Sequence, residues 1–267
     1  MNRIDRTFRK LKNERRKAFI AYITAGDPDM RVTKELVPAL EKAGVDIIEL
    51  GIPFSDPLAD GPTIQAASHR ALSKGTTLEK IFDAIGSIRK VTEIPIVFMT
   101  YYNPVLKYGL KRFMADCARD GVDGVVIPDL PLEESGELRR HARASGVSSI
   151  FLVAPTSTRE RIKSITALST GFVYYVSLTG VTGARRELPP ELISRIKLVK
   201  SMTKRPVAVG FGVADAGQAG RVAKVADAVI VGSRIVRIIE ANRKDKKAII
   251  SKVSRFSRGL AEAIHGA

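Results

Sequence analysis

Three acidic side chains near residue 50 have the type and spacing that acid–base chemistry requires. Glu49 lies one residue before the end of a short apolar run, and Asp56 and Asp60 follow in a segment that begins with Gly51 and Pro53. An ionised carboxylate that is buried without a partner is costly, so burial would raise the pKa of Glu49. A carboxyl group with a raised pKa at a strand end is suited to general acid–base catalysis. The alternative is that all three acids are exposed, as most acids are.

The apolar run around Glu49 indicates a β-strand. Side chains alternate along a strand, so Ile47 and Glu49 point to one side, and Ile48 and Leu50 point to the other. Both sides therefore carry apolar residues, as in a parallel sheet that is covered on both faces. The pattern predicts a buried Glu49.

Short β-branched runs alternate with amphipathic segments along the whole chain. We predict eight strands, at residues 19–24, 46–50, 96–100, 124–127, 149–153, 172–177, 207–209 and 228–231. Helical segments such as 32–43, 78–91, 111–120 and 191–202 follow several of them. Eight β-then-α units predict a single (β/α)₈ TIM-barrel domain over residues 1–267. A doubly wound open sheet is the alternative, but the Gly-x-Gly-x-x-Gly that it would need after the first strand is missing.

An extra helix is predicted before the first strand, at residues 4–13. Ile4, Phe8 and Leu11 recur there at helical spacing and form one apolar stripe. The stripe predicts that this helix covers the N-terminal face of the barrel.

The predicted strand ends favour carboxylate chemistry over other kinds. They carry no lysine, which disfavours a Schiff-base mechanism. The three histidines, His69, His141 and His265, lie in helical or terminal segments. No group of residues has the spacing of a metal site, and no nucleophile elbow is present.

Glycine-rich turns follow the last three predicted strands, at residues 179–183, 210–212 and 232–233. Glycine lets the backbone approach a ligand closely, and Ser233 begins a predicted helix whose N–H groups point outward. Barrels commonly bind phosphate at this place, so we expect a phosphate site. Small residues at 179–186 also predict a flap that closes over the site, although a disordered loop is an equal alternative.

The chain carries a formal net charge of +16 at pH 7, with mild basic clusters at residues 15–17 and 243–247. Such a charge makes nucleic acid a candidate partner, but the sequence contains no nucleic-acid-binding motif. A solvated basic surface that attracts an anionic substrate is the favoured interpretation. No apolar run reaches the roughly 18 residues of a membrane span.

The N-terminal segment and the cysteine content favour a cytoplasmic protein. The first seventeen residues are basic, as in a transit peptide, but Asp5 and Glu14 argue against one. The single cysteine, Cys117, excludes an internal disulfide and is typical of a reducing compartment.

The motifs together resemble the tryptophan synthase α-subunit family, in family order and over nearly the whole chain. Residues 48–61, Ile-Glu-Leu-Gly-Ile-Pro-Phe-Ser-Asp-Pro-Leu-Ala-Asp-Gly, resemble the signature around the family's catalytic glutamate. Further similar motifs are AYITAGDP at 21–28, GPTIQAA at 61–67, YNP at 102–104, IPDLP at 127–131, GVTGAR at 180–185 and VGFG at 209–212.

The resemblance implies cleavage of indole-3-glycerol phosphate to indole and glyceraldehyde 3-phosphate. Glu49 would protonate C3 of the indole ring and assist the glycerol hydroxyl, and Asp60 would stabilise positive charge at the indole nitrogen. Tyr174 would lie beside the substrate near Glu49. Thr182 would close the flap over Asp60, and the substrate phosphate would be held by Gly183, Phe211, Gly212, Gly232 and Ser233.

The resemblance also implies a partner, the tryptophan synthase β chain, in an α₂β₂ complex through which indole passes. Pyridoxal phosphate would belong to the β chain, and this chain would need no cofactor. Residues 53–60 and 102–104 would face the partner. One alternative is a stand-alone indole-releasing lyase. A second is an isomerase or the indole-glycerol-phosphate synthase of the same pathway, and the synthase would require strand-end lysines. A third is a basic nucleic-acid-binding barrel without activity.

Overall fold

Nine parallel strand segments form a ring in the computed structural model, which describes residues 2–176, 188–210 and 212–267. The segments are β1 Ala18–Thr24, β2 Ile47–Gly51, β3 Ile96–Met99, β4 Gly124–Val126, β5 Ser148–Ile150, β6 Leu152–Val153, β7 Val173–Val176, β8 Val207–Gly210 and β9 Ala228–Val231. They pair in the order β5-β4-β3-β2-β1-β9-β8-β7-β6. The order follows the chain in both directions from β1 and joins the first strand to the last, as a barrel requires.

A single stretch of chain supplies both ends of this order. The segments β5 and β6 are separated only by Phe151, and β5 pairs with β4 whereas β6 pairs with β7. Together they correspond to the one strand predicted at residues 149–153. The predicted (β/α)₈ barrel is thus confirmed, and the open sheet is ruled out.

Helices surround the strands on the outside. In the described part of the chain they are α1 Arg3–Asn13, α2 Met30–Lys42, α3 Pro62–Ser73, α4 Leu78–Ile88, α5 Tyr102–Tyr108, α6 Leu110–Asp120, α7 Gly136–Ser145, α8 Arg159–Leu168, α9 Pro190–Ser201, α10 Ala216–Ala223, α11 Ser233–Ala241 and α12 Lys246–His265. A short 3₁₀ helix spans Leu132–Glu134. None of the helices in this part is both long and apolar enough to cross a membrane.

The core has two layers because strand side chains alternate. An inner cluster fills the barrel and includes Ile47, whereas an outer cluster between strands and helices includes Ile48 and Leu50. This alternation agrees with the period-two pattern in the sequence.

The N-terminal helix α1 closes one mouth of the barrel. Its residues Ile4, Phe8 and Leu11 belong to the inner cluster, and the ring of Phe8 lies 5.9 Å from that of Phe172. Asn2 caps the helix by accepting a hydrogen bond from the N–H of Asp5 at 3.2 Å. The predicted covering helix is therefore confirmed.

Candidate active site

Glu49 lies in β2 on the inner side of the barrel, the same side as Ile47. It is 2% exposed, and neither carboxylate oxygen has a hydrogen-bond partner among the described residues. Burial, together with the negative charge of Asp60, raises the pKa of Glu49 to about 8. The Tyr174 hydroxyl lowers this pKa in part. The predictions of a buried Glu49 and of a raised pKa are both confirmed.

Asp60 lies at the end of the loop that follows β2, shortly before α3. Its backbone N–H donates to the carbonyl of Pro57 at 3.0 Å, and its carbonyl oxygen accepts from the Gln65 side chain at 2.9 Å. Burial raises the pKa of Asp60 to about 6, although the Tyr101 hydroxyl favours the charged form. At neutral pH, Asp60 is therefore mostly ionised while Glu49 mostly keeps its proton.

Three tyrosine side chains, those of Tyr22, Tyr101 and Tyr174, surround the two carboxyl groups. Tyr22 of β1 is the direct register partner of Glu49, so the two side chains point to the same side of the sheet. Burial raises the pKa of Tyr22 and Tyr174, and the negative charges of Glu49 and Asp60 raise it further. The Tyr101 hydroxyl accepts a hydrogen bond from the N–H of Ala59 at 3.0 Å, which holds the loop beside Asp60.

Glycines at the strand ends leave room for two of these rings. A Cβ atom at Gly51 would lie 2.1 Å from the Tyr22 hydroxyl oxygen, and one at Gly210 would lie 2.8 Å from Cε1 of Tyr174. Both distances are too short for any side chain. The tyrosine rings therefore lie across the ends of neighbouring strands, in a place that only glycine leaves open.

The phosphate end of the predicted site is placed in part. Gly212 follows β8 by two residues, Gly232 directly follows β9, and Ser233 is the first residue of α11. The N-cap residue of α11 is Gly232, which has no side chain that could accept from the N–H groups of the first turn. The N-terminus of a short extra helix after the last strand is where barrels bind phosphate.

Three predicted residues, Thr182, Gly183 and Phe211, lie outside the described residues. The same holds for the flap predicted at residues 179–186. Among the residues predicted for the substrate phosphate, the structure thus places Gly212, Gly232 and Ser233.

Two tyrosines near the carboxyl groups were not singled out from the sequence. Tyr22 is distant from Glu49 along the chain, and only the register of β1 with β2 brings the two together. A tyrosine among apolar strand residues, two positions before the strand end, was the available signal. For Tyr101, the sequence drew attention to its neighbour Tyr102 instead. Tyr102 donates its backbone N–H to the Asp129 carboxylate at 2.9 Å.

The arrangement can perform acid–base chemistry on a phosphorylated, partly apolar molecule. Two carboxyl groups with separated pKa values provide a proton donor and an anion in one place. The tyrosine rings provide apolar surface for an aromatic group, and the α11 N-terminus provides donors for a phosphate.

Known proteins with a similar sequence and fold include tryptophan synthase alpha chains. The family model for the tryptophan synthase alpha chain matches residues 8–265. The chain is 49% identical over 263 residues to the tryptophan synthase alpha chain of Geotalea daltonii, covering 98% of this chain and 100% of the relative. The crystal structure of tryptophan synthase subunit alpha from Legionella pneumophila superimposes with a TM-score of 0.92 at 38% identity, covering 99% of this chain and 98% of that one. The chain therefore belongs to the tryptophan synthase alpha chain family, the lyase subunits that cleave indole-3-glycerol phosphate.

Proposed function

We propose that Glu49 and Asp60 divide the cleavage of indole-3-glycerol phosphate between them, Glu49 as acid–base and Asp60 as the stabilising anion. The state of Glu49 supports this most strongly: it is 2% exposed, has no hydrogen-bond partner among the described residues, and has a pKa of about 8. Asp60, with a pKa of about 6, remains an anion when Glu49 is protonated. A pair with separated pKa values is what the two roles require.

The proposed reaction begins with transfer of the Glu49 proton to C3 of the indole ring. A ring electron pair forms the new C–H bond, and the positive charge that develops at the ring nitrogen is stabilised by Asp60. Glu49, now a carboxylate, accepts the proton of the hydroxyl on the carbon attached to C3. The O–H electron pair forms the aldehyde, the C–C bond breaks, and its electron pair returns to the ring. Indole and glyceraldehyde 3-phosphate are released, and Glu49 is protonated again.

In this proposal, protein contacts at both ends of the substrate orient it. Tyr174, whose ring lies against Gly210, would contact the indole ring beside Glu49. The substrate phosphate would accept hydrogen bonds at Gly212, Gly232 and Ser233, and the uncapped start of α11 supports this. Gly183, Phe211 and the flap residue Thr182 complete the proposal on the basis of the family resemblance.

A tryptophan synthase β chain is the proposed partner, in an α₂β₂ complex in the cytoplasm. Two exposed apolar side chains support a docking surface at the C-terminal mouth: Leu58, 93% exposed in the loop after β2, and Leu106, 54% exposed in α5 after β3. Because β2 and β3 are neighbouring parallel strands, the segments that follow them begin at the same mouth, and exposed apolar patches are typical of interfaces. Pyridoxal phosphate is assigned to the β chain, and no residue of this chain is assigned to it.

Indole release from indole-3-glycerol phosphate, measured with and without a cognate β chain, tests the proposed function. Slow release alone with a large increase on adding the β chain is expected. Fast release that the β chain does not change would instead indicate a stand-alone lyase. Absence of release in both conditions would contradict the proposal.

Two variants test the roles of the carboxyl groups in the same assay. Glu49→Gln and Asp60→Asn keep the side-chain size and remove the titrating group, so both are expected to lower kcat by ~10²-fold or more. Phosphate binding should persist in both variants, because the α11 end of the site is unchanged. Near-normal kcat in either variant would show that another residue has the role proposed for the replaced one.

A further inference from the structure

A basic cleft lies at the N-terminal mouth of the barrel, on the side opposite to the catalytic carboxyl groups. Its volume is about 440 Å³, and it lies between the end of α1, the segment that enters β1, and the segment that joins α9 to β8. Its lining is mostly basic, and Phe8 and Leu11 contribute apolar side chains to it.

The lining of this cleft is strongly unbalanced in charge. Asp227 is the one acidic residue that the described part of the chain contributes to the lining, and two lysines share this carboxylate: Lys200 at 2.7 Å and Lys17 at 4.0 Å. Arg16 is paired outside the cleft with Glu14 at 2.9 Å. The remaining cations have no acidic partner among the described residues, namely Lys12, Arg15, Lys204 and Arg205.

Four unpaired cations around one concavity raise the local potential. A cleft lined by charges of one sign focuses the electric field and concentrates ions of the opposite sign. The other basic cluster of the sequence, at residues 243–247, lies at the α11–α12 junction, where Lys246 is paired with Glu35. The charges of this second cluster therefore serve as a comparison for the effect of surface charge alone.

The cleft is separate from the catalytic site. Lys17, Pro206 and Asp227 directly precede the starts of β1, β8 and β9, whereas Glu49 lies near the end of β2. Because all strands run in parallel, their starts and ends lie at opposite mouths, about 20 Å apart along the seven residues of β1. The indole-releasing site does not account for these cations.

We propose that the basic cleft binds a small anion that carries several phosphate groups, of the class of inorganic triphosphate or a nucleoside triphosphate. Its volume falls within the range of small-molecule pockets. Guanidinium and ammonium groups are the side chains that recognise phosphate, and four of them in this cleft have no carboxylate partner within residues 2–176, 188–210 and 212–267. Phe8, the aromatic residue at its floor, is only 9% exposed, so the cleft lacks the open stacking surface that single-stranded nucleic acids use.

Calorimetric titration of the full chain with inorganic triphosphate, ATP and a single-stranded oligonucleotide at physiological salt tests the proposal. The cleft variant replaces three exposed cations: Lys12→Gln, Arg15→Gln and Lys204→Gln. The matched control removes the same charge at the other cluster: Arg243→Gln, Lys244→Gln and Lys247→Gln. Thermal unfolding of both variants checks that each is folded.

The expected result is binding of triphosphate that the cleft variant weakens by about tenfold or more and that the control leaves within about twofold. Equal binding of triphosphate and ATP would indicate that the phosphates alone are recognised, and tighter ATP binding would indicate that the nucleoside contributes; both support the proposal. Equal losses in the two variants, or no binding by the parent chain, would overturn it. Tighter binding of an oligonucleotide than of either triphosphate, with the same loss in the cleft variant, would overturn it in favour of nucleic acid.

Discussion

The Glu49 carboxyl group titrates at different pH values in the folded and the unfolded chain. Its pKa is about 8 in the fold against an ordinary value of 4.5. Between these two values the unfolded chain loses the proton while the folded chain keeps it, so stability falls as pH rises through this range. Well above pH 8 the loss is complete, on the order of 5 kcal/mol for a group buried in this way.

A Glu49→Gln variant is therefore expected to be more stable than the parent chain at alkaline pH. The amide cannot ionise, so the difference in unfolding free energy should grow between about pH 4.5 and about pH 8 and then level off. Urea unfolding at a series of pH values measures it. A difference that does not change with pH would show that Glu49 is not desolvated in the folded chain.

The pH dependence of indole release should have two limbs. The rate is expected to rise as Asp60 ionises near pH 6 and to fall as Glu49 loses its proton near pH 8. The measurement is kcat/KM across pH 5 to 10, with the apparent values assigned to the coupled pair.

The pH profile of the residual activity of Asp60→Asn distinguishes ionisation of an enzyme group from ionisation of the substrate. A substrate phosphate also titrates near pH 6, with a second pKa of about 6. Loss of the acidic limb in the variant would assign it to Asp60, whereas an unchanged limb would assign it to the phosphate. The alkaline limb is expected to move to lower pH in the variant, because the negative charge of Asp60 that helps to raise the pKa of Glu49 has been removed.

At the scale of the elements, the strand ends and the tyrosine rings depend on each other. A Gly51→Ala change would place a Cβ atom 2.1 Å from the hydroxyl oxygen and 2.6 Å from Cζ of Tyr22. We expect a loss of about 1–3 kcal/mol from overpacking, with slower indole release because the displaced ring neighbours Glu49. Chemical unfolding and the indole assay measure the two effects.

A glycine elsewhere and a second substitution provide the controls for this prediction. Gly86 lies inside α4 with open space where a Cβ atom would stand, so Gly86→Ala should be neutral or stabilising. Tyr22→Leu added to Gly51→Ala should recover part of the lost stability by removing the clash. Additive losses in the double variant would contradict the proposed contact.

The helix α1 should contribute to stability without contributing to the reaction. Ile4 is fully buried in the inner cluster at the N-terminal mouth, so Ile4→Ala is expected to cost about 2–5 kcal/mol. Ile4→Val should cost no more than about 1.5 kcal/mol. Indole release per folded molecule should be unchanged in both, and a lowered kcat would show that this mouth is coupled to the other.

At the scale of the whole molecule, features that are set within one segment could be predicted from the sequence. Relations between distant segments could not. Periodicities within a few residues account for the alternation of strands and helices, the covering helix with Ile4, and the burial of Glu49 on the same side as Ile47. The approach of Tyr22 to Glu49 depends on the register between two strands, and the interruption at Phe151 depends on barrel closure. The position of Tyr22 near a strand end marks it only as a candidate, because the residue that it faces is set by pairing between strands; the interruption at Phe151 has no signal in its own segment.

Closure of the ring by β1 and β9 has a consequence for how the chain folds. Every other neighbouring pair of segments is adjacent in chain order, whereas this pair joins the first strand to the last. Contacts between distant parts of a chain bear the largest loop-closure entropy and form slowly. The chain can therefore form strand pairs progressively along its length, but the barrel becomes a closed ring only after its last strand has been made.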